Sequence, residues 1–325
     1  MKTTNKWASK MGFILATAGA AIGLGNLWKF PYLMGRNGGF PFLAAYLIFI
    51  CLLGVPVMIT EMALGRKTGH NPVLAYGTVH PHARIVGYLG VLAAFFILSY
   101  YAVIGGWIIK YFVSYTVTGQ APEDFSAFIG HPTEPLIWFF LFMLGTSLIC
   151  YFGVSGIEKA SKFMMPALFV ILIIIIVRGL TLPGAAAGLS FIFTPKLNDF
   201  SLNSVSAALG QVFYSLSLCM GITITYGSYL HKDVSIPKGC IQVAVLDTCM
   251  ALLAGIAIFP AVFACGLEPA SGPGLIFVTL PEVFGTMAGG AFFAALFFLL
   301  VFFAAVTSAV ALLEVSVSFV MGNWH

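Results

Sequence analysis

Apolar residues in this chain follow neither a strict alternation nor a three-to-four spacing. They run on for roughly twenty residues at a time and then give way to short polar segments. The runs cover about 11–34, 40–64, 86–116, 135–154, 162–181, 204–230, 238–266 and 290–320. Each matches the roughly 20 residues a helix needs to cross a bilayer. Their length and the lack of a period-two pattern favour helices over an outer-membrane barrel. The pattern predicts an all-α membrane protein with about eight transmembrane helices. The first run passes through Gly23, Leu24, Gly25 and Asn26 to Trp28 without a small-residue cleavage pattern, so it reads as a retained helix and not as a signal peptide.

Composition agrees. Charged residues are 8% of the 325, against about 25% in soluble domains, and the mean hydropathy is +1.01. Lys and Arg set the orientation. With the N-terminus cytoplasmic, inner segments hold Lys2, Lys6, Lys10, Arg66, Lys67, Arg84, Lys159, Lys162, Lys232 and Lys238. Outer segments keep Lys29, Arg36, Lys110, Arg178 and Lys196, along with the acids Glu123, Asp124 and Glu268. The net charge of +4 is thus a topology signal, and no basic cluster is dense enough for nucleic acid. A multi-pass protein of a bacterial inner (plasma) membrane is expected.

Little points to chemistry on a substrate. The six cysteines form no CxxC pair and fall within or at the ends of the apolar runs. His80 and His82 form an HxH without a third ligand. No combination of nucleophile, base and orienting group stands out, so the protein reads as no enzyme and no organic cofactor is expected.

Two runs carry features a plain spanning helix does not need. The first has Gly19, Gly23 and Gly25 around Asn26; the sixth has Gln211, Ser215, Ser217, Cys219 and Gly221. Gly19-x-x-x-Gly23 also suits close helix packing, and that reading stays open for the glycines alone. The amide and hydroxyl side chains favour interrupted helices lining a cavity, because polar groups at bilayer depth need partners. Breaks at matching places in two halves mark the midplane site of a transporter. Ala304, Thr307 and Ser308, at i, i+3 and i+4, place two hydroxyls on one face of an apolar helix. Back-bonding of those hydroxyls to their own helix is the plain alternative.

The stretch from Gly23 to Pro31 (GLGNLWKFP), Asn37-Gly38-Gly39, Glu61 to Arg66 (EMALGR) and Gln211 to Ser217 (QVFYSLS) resemble the neurotransmitter:sodium symporter family, its bacterial amino-acid branch most of all. The resemblance runs in order from Trp7 to about Glu314. It implies the inverted-repeat, leucine-transporter-like fold: helices 1 and 6 broken, a first five-helix repeat at 1–181 and a second at 182–325. The second would be incomplete, with helices 9 onward missing and the chain part of a longer one.

The resemblance also implies sodium-coupled symport of a small apolar or aromatic amino acid by alternating access, with two sodium ions bound. One sodium would take the Ala21 carbonyl, Asn26, Ser215, Asp247 and the substrate carboxylate. The other would take the Gly19, Ile22 and Ala304 carbonyls with Thr307 and Ser308. Oxygen ligands of this kind suit a hard cation. The substrate pocket is implied at Ala21, Leu24, Gly25, Ile97, Tyr101, Phe213, Tyr214, Ser217, Met220, Ser308 and Leu312, with the Tyr101 hydroxyl and free helix amides as donors to a carboxylate.

Lys29 stands at the outer-gate position, its acidic partner expected on helix 10, and Glu61 and Arg66 fall at the inner end of helix 2. Thr4 occupies the usual inner-gate arginine position, and no acid stands at the end of helix 8, where Gly322 lies. Asp247 supplies a fixed negative charge among Tyr46, Gln211, Ser215 and Ala251, positions that hold chloride in other members, so chloride is expected not to be required. A sodium-independent exchanger of the same fold is the nearest alternative, though it would lack the Thr307 and Ser308 hydroxyls. A membrane subunit that binds without transporting is the alternative from another class.

Overall fold

The computed structural model describes residues 6–122, 124–194, 201–266 and 274–323, and among them every regular element is helical. Helix α1, Lys10–Ala21, starts at Ser9, whose Oγ accepts the Gly12 N–H at 2.9 Å and satisfies one of the free amides of the first turn. It stops at Ile22, whose ψ of 99° is extended. Helix α2, Gly25–Arg36, resumes at an angle of 48° through a π-helical turn. Helix α3, Phe40–Thr68, carries its own π turn at Ile50–Gly54, just ahead of Pro56, which has no amide to give the ladder.

The short α4, Pro72–Gly77, leads to the long α5, Arg84–Val117. There follow α6, Phe125–Gly130, α7, Glu134–Tyr151, α8, Gly153–Leu180, and α9, Ala185–Phe193. Helices α10, Leu202–Ser215, and α11, Ile222–Ser228, are the two parts of the sixth apolar run. The described chain closes with α12, Ile236–Ala264, α13, Leu275–Thr286, and α14, Gly290–Asn323. Six unbroken helices are long and apolar enough to cross a membrane, and the bent pair α1–α2 makes a seventh span. The split pair α10–α11 lies in the sixth run, interrupted at residues 216–221.

One boundary differs from the sequence reading. The inner loop expected around Lys159 and Lys162 is the first turns of α8, and only Phe152 separates α7 from α8. Gly153, at φ +59°, allows the sharp reversal, and a Glu158–Lys162 ion pair of 2.6 Å braces the first turns. The short apolar α13, ahead of α14, has no counterpart among the predicted runs.

Helix α14 is the most buried of the long helices, packed on α5, α7 and α8. Helix α1 sits among α8, α12 and α14, and α3 lies against α10 and α11. The approach of α3 to α11 depends on missing side chains. A Cβ at Gly65 would strike the Ile224 carbonyl, and one at Gly227 would come within 2.6 Å of the Met62 carbonyl oxygen. Outward faces carry Leu92, Phe95, Phe96, Leu144, Val170 and Ile173, all exposed. A belt of that kind belongs in lipid and would aggregate in water.

Candidate functional site

The two breaks meet. At the first, Ile22 to Leu24 leave the helical ladder, and at the second the chain passes through Ser217 at φ +53°, Cys219 at +61° and Gly221 at +75°. Alternating left-handed residues of this kind undo a helix and turn backbone groups outward. They are held by side chains from other helices. The Ser217 and Ser308 hydroxyls both donate to the Ala20 carbonyl, at 3.0 and 3.2 Å.

Ser308 Oγ also lies 3.2 Å from the Gly19 carbonyl and 3.4 Å from that of Ile22. Its neighbour Thr307 donates to Ala304 and Phe303 carbonyls, at 3.1 Å each, and packs against Gly19, where a Cβ would meet Thr307 Cβ at 3.1 Å. The carbonyls of Gly19, Ile22 and Ala304 and the hydroxyls of Thr307 and Ser308 thus share one place. The Ala20 carbonyl joins them without having been expected, because its role follows from where α14 crosses the break and no sequence spacing records that.

A second cluster surrounds Asp247, fully buried in the middle of α12. Asn26 Nδ2 donates to its Oδ1 at 2.8 Å, and Ser215 Oγ to its Oδ2 at 2.8 Å. The Tyr46 hydroxyl adds a bond of 3.3 Å to Oδ2. Asn26 is further fixed by accepting the Gly23 N–H at 3.3 Å. All three donors are neutral, so the carboxylate has no formal counter-charge among them. A charge at such depth calls for a cation. Gln211, one turn before Ser215, donates to the Gly25 carbonyl at 2.9 Å, tying α10 to the start of α2.

Beside the Ser308 cluster lies a small cavity of about 20 Å3, lined in part by Ala21, Gly25, Ile97, Tyr101, Tyr214, Ser217, Met220, Ser308 and Leu312. Gly23 also lines it, and a Cβ there would fall on Ser308 Oγ and within 2.5 Å of the Tyr101 hydroxyl. Two expected pocket residues are placed differently. Phe213 is half-buried and not part of the lining, and its carbonyl accepts the Leu218 N–H at 3.0 Å. The Leu24 amide, read as a free donor, donates to the Tyr101 hydroxyl at 2.9 Å. The two groups satisfy each other across the pocket.

The flanks show what the sequence left unassigned. Lys29 Nζ stands 3.9 Å over the Tyr214 ring, a cation–π contact that covers one side of the pocket. Glu61, assigned to the inner end of its helix, accepts the Cys219 N–H at 3.1 Å and the Thr223 hydroxyl, so it braces the second break. An acid inside the apolar run 40–64 was the visible signal; its partner, more than 150 residues away, was not.

Near the N-terminus Trp7 is buried against Tyr226 and Tyr229, its indole N–H donating to the Tyr226 carbonyl at 3.1 Å. Glu158 accepts the Ala8 N–H at 2.7 Å and the Ser9 hydroxyl at 2.8 Å. Thr4 lies outside the described residues, as do Lys2, Glu123, Lys196 and Glu268.

The sequence matches the sodium:neurotransmitter symporter family over residues 4–124 and 126–325. It is 41% identical over 323 residues to an uncharacterized sodium-dependent transporter of Bacillus subtilis, covering 96% of this chain and 72% of that protein. The crystal structure of MhsT in complex with L-phenylalanine superposes with a TM-score of 0.91 at 45% identity, over 98% of this chain and 75% of that one. A more distant relative is the human sodium- and chloride-dependent GABA transporter 2, 30% identical over 330 residues, 85% of this chain and 55% of that one.

Proposed function

The chain belongs to the sodium:neurotransmitter symporter family, and from that membership we propose that it carries an apolar or aromatic amino acid inward together with two sodium ions. The family is one of transporters, so the protein moves its substrate unchanged. The observation that carries the reading is a cavity lined by residues of both breaks, with Ser308 in its wall and the Asp247 cluster reached through Asn26, the residue after the lining Gly25. Each cluster gathers oxygen ligands without a protein cation, which is what a sodium ion needs.

One sodium would sit at the Ala21 carbonyl, Asn26, Ser215 and Asp247. The other would sit at the Gly19, Ile22 and Ala304 carbonyls, Thr307 and Ser308. Asn26 and Ser215 are already bonded to Asp247, Ser308 to the Gly19 and Ile22 carbonyls and Thr307 to that of Ala304, so little movement of these groups is needed for the ions to replace hydrogen bonds now made inside the clusters. The substrate carboxylate would take over the Leu24 amide and the Tyr101 hydroxyl, which must part to admit it, and would complete the first sodium shell. Ile97, Tyr214, Ser217, Met220 and Leu312 would surround the side chain. Binding of ion and substrate is then linked in both directions. L-Phenylalanine in the MhsT complex makes an aromatic amino acid a natural first substrate to try.

Chloride is not needed in this reading, because the Tyr46 and Ser215 hydroxyls are both bonded to the Asp247 carboxylate. The anion is built into the chain. We place the protein in a bacterial inner membrane with Trp7 on the cytoplasmic side, which the Lys and Arg distribution favours. Division into repeats at 1–181 and 182–325 belongs to the same proposal.

The cavity offers no carboxylate at Gly23 to pair with a ligand amine, so the substrate must bring its own. Sodium-dependent binding of L-phenylalanine and of phenethylamine, measured by calorimetry, tests this. The amino acid should bind at least a hundredfold more tightly; equal affinities would overturn the assignment.

A further inference from the structure

Six of the lysines counted for orientation are gathered in space. Trp7 fixes the N-terminal segment to the chain ahead of α12: its amide donates to the Tyr229 carbonyl at 3.2 Å, and its own carbonyl lies 3.1 Å from the His231 ring. On the other flank Glu158 ties the same segment to α8 by accepting the Ala8 amide and the Ser9 hydroxyl. One turn on, the Phe13 ring lies so near Gly239 that a Cβ there would come within 2.8 Å of it. Three stretches far apart in sequence therefore share one end of the bundle. They carry Lys6 and Lys10, Lys159 and Lys162, and Lys232 and Lys238.

All six are exposed. Lys162 is paired with Glu158 at 2.6 Å, and none of the other five has an ion pair among the described residues. Glu158 is buried, which leaves Asp233 as the one exposed acid on the three stretches. Like charges held together with so little compensation favour an anion from outside the chain. Neighbouring side chains say at what depth it sits. Met11 follows Lys10 and is 60% exposed, and Phe163 follows Lys162 and is 68% exposed. The ammonium groups thus border directly on side chains that belong in lipid, which is the level of phospholipid headgroups. The last turn of α14 lies elsewhere, with Gly322 against Asn71 and Leu74 of α4.

We propose that these six lysines form a headgroup site for an anionic phospholipid, which clamps the N-terminal segment between α8 and α12. The proposal needs the membrane-spanning fold, but neither the sodium sites nor the orientation. A lipid phosphate reaches the ammonium groups while its chains lie over Met11 and Phe163. A soluble polyanion would leave both uncovered, so nucleic acid or an acidic peptide fits less well.

Native mass spectrometry of the purified, delipidated protein, titrated with phosphatidylglycerol or with phosphatidylcholine of the same chains, counts the bound lipid. Phosphatidylglycerol should bind about tenfold more tightly. Lys10→Gln with Lys159→Gln should weaken it by about tenfold, whereas Arg36→Gln with Arg84→Gln, which removes the same charge elsewhere, should weaken it by less than about twofold. Equal affinities for the two lipids, equal losses in the two double variants, or full displacement of the lipid by inorganic phosphate would each overturn the inference. Hydrogen exchange reads the clamp without any variant. The Ala8 and Gly12 amides, bonded to Glu158 and Ser9, should exchange about threefold more slowly in nanodiscs of phosphatidylglycerol than of phosphatidylcholine. Equal rates in the two lipids would also overturn it. Absence of sodium-driven uptake would count against the proposed function and leave this site standing.

Discussion

Asp247 carries a charge where charge is most expensive, and three neutral donors share the work of stabilising it. Asn26 and Ser215 each approach to 2.8 Å, and Tyr46 to 3.3 Å. A buried carboxylate deprived of its cation costs several kcal/mol, which is a reason for ion and residue to be bound in one step. Asp247→Asn removes the charge and keeps the shape. Uptake by the wild type should persist when gluconate replaces chloride. In the variant it should fall at least tenfold in gluconate, about 1.4 kcal/mol, and recover when chloride is restored. Chloride-independent uptake by the variant would show that the fixed charge has another purpose.

At the scale of the element, the two breaks are made differently. The first is permitted by Gly23 and Gly25, whose missing side chains leave room for Ser308, Tyr101 and Tyr214. The second is imposed on Ser217 and Cys219, which adopt left-handed angles that cost a non-glycine residue about 1–2 kcal/mol. Glu61 offsets part of this by accepting the Cys219 amide and the Thr223 hydroxyl. A β-branched residue tolerates such angles worst. Cys219→Val should lower unfolding stability by about 1–2 kcal/mol, read as a drop in melting temperature, while Cys219→Gly should leave it within about 0.5 kcal/mol of the wild type. Equal melting temperatures for Val and Gly would show that the break is not strained there.

The first break could be read from the sequence, since glycines and an asparagine interrupt an apolar run and the motif around them is specific. So could the Thr307–Ser308 pair. Glu61–Cys219, Ser217–Ala20 and Glu158–Ala8 could not, because each joins residues at least 150 apart that share no pattern. The loop expected before Lys162 was misplaced because Glu158, Lys159 and Lys162 look solvated; Glu158 is in fact 3% exposed, turned inward to hold the N-terminal segment.

For the whole molecule, transport requires that the inner side open and close while the site stays intact. The N-terminal segment is held by Trp7 on Tyr226 and Tyr229, with Glu158 gripping Ala8 and Ser9, on the side proposed to be inner. Local opening should therefore be cheap compared with unfolding. Removing the Glu158 bonds by Glu158→Ala should speed tryptic cleavage at Lys6 and Lys10 by about tenfold, if the opening cost falls by about 1.4 kcal/mol, with little change in the global melting temperature. Unchanged cleavage would mean that Trp7 alone keeps the segment in place.

The central claim is that both breaks, with the Asp247 and Ser308 clusters, bind sodium and an amino acid together and carry them across the membrane. The most direct measurement is accumulation of radiolabelled L-phenylalanine by proteoliposomes holding the purified protein, with sodium outside and potassium inside. Uptake should rise above equilibrium, collapse when the sodium gradient is dissipated, and fall at least tenfold in Ser308→Ala. Equilibration at the same level with and without a sodium gradient would contradict the account.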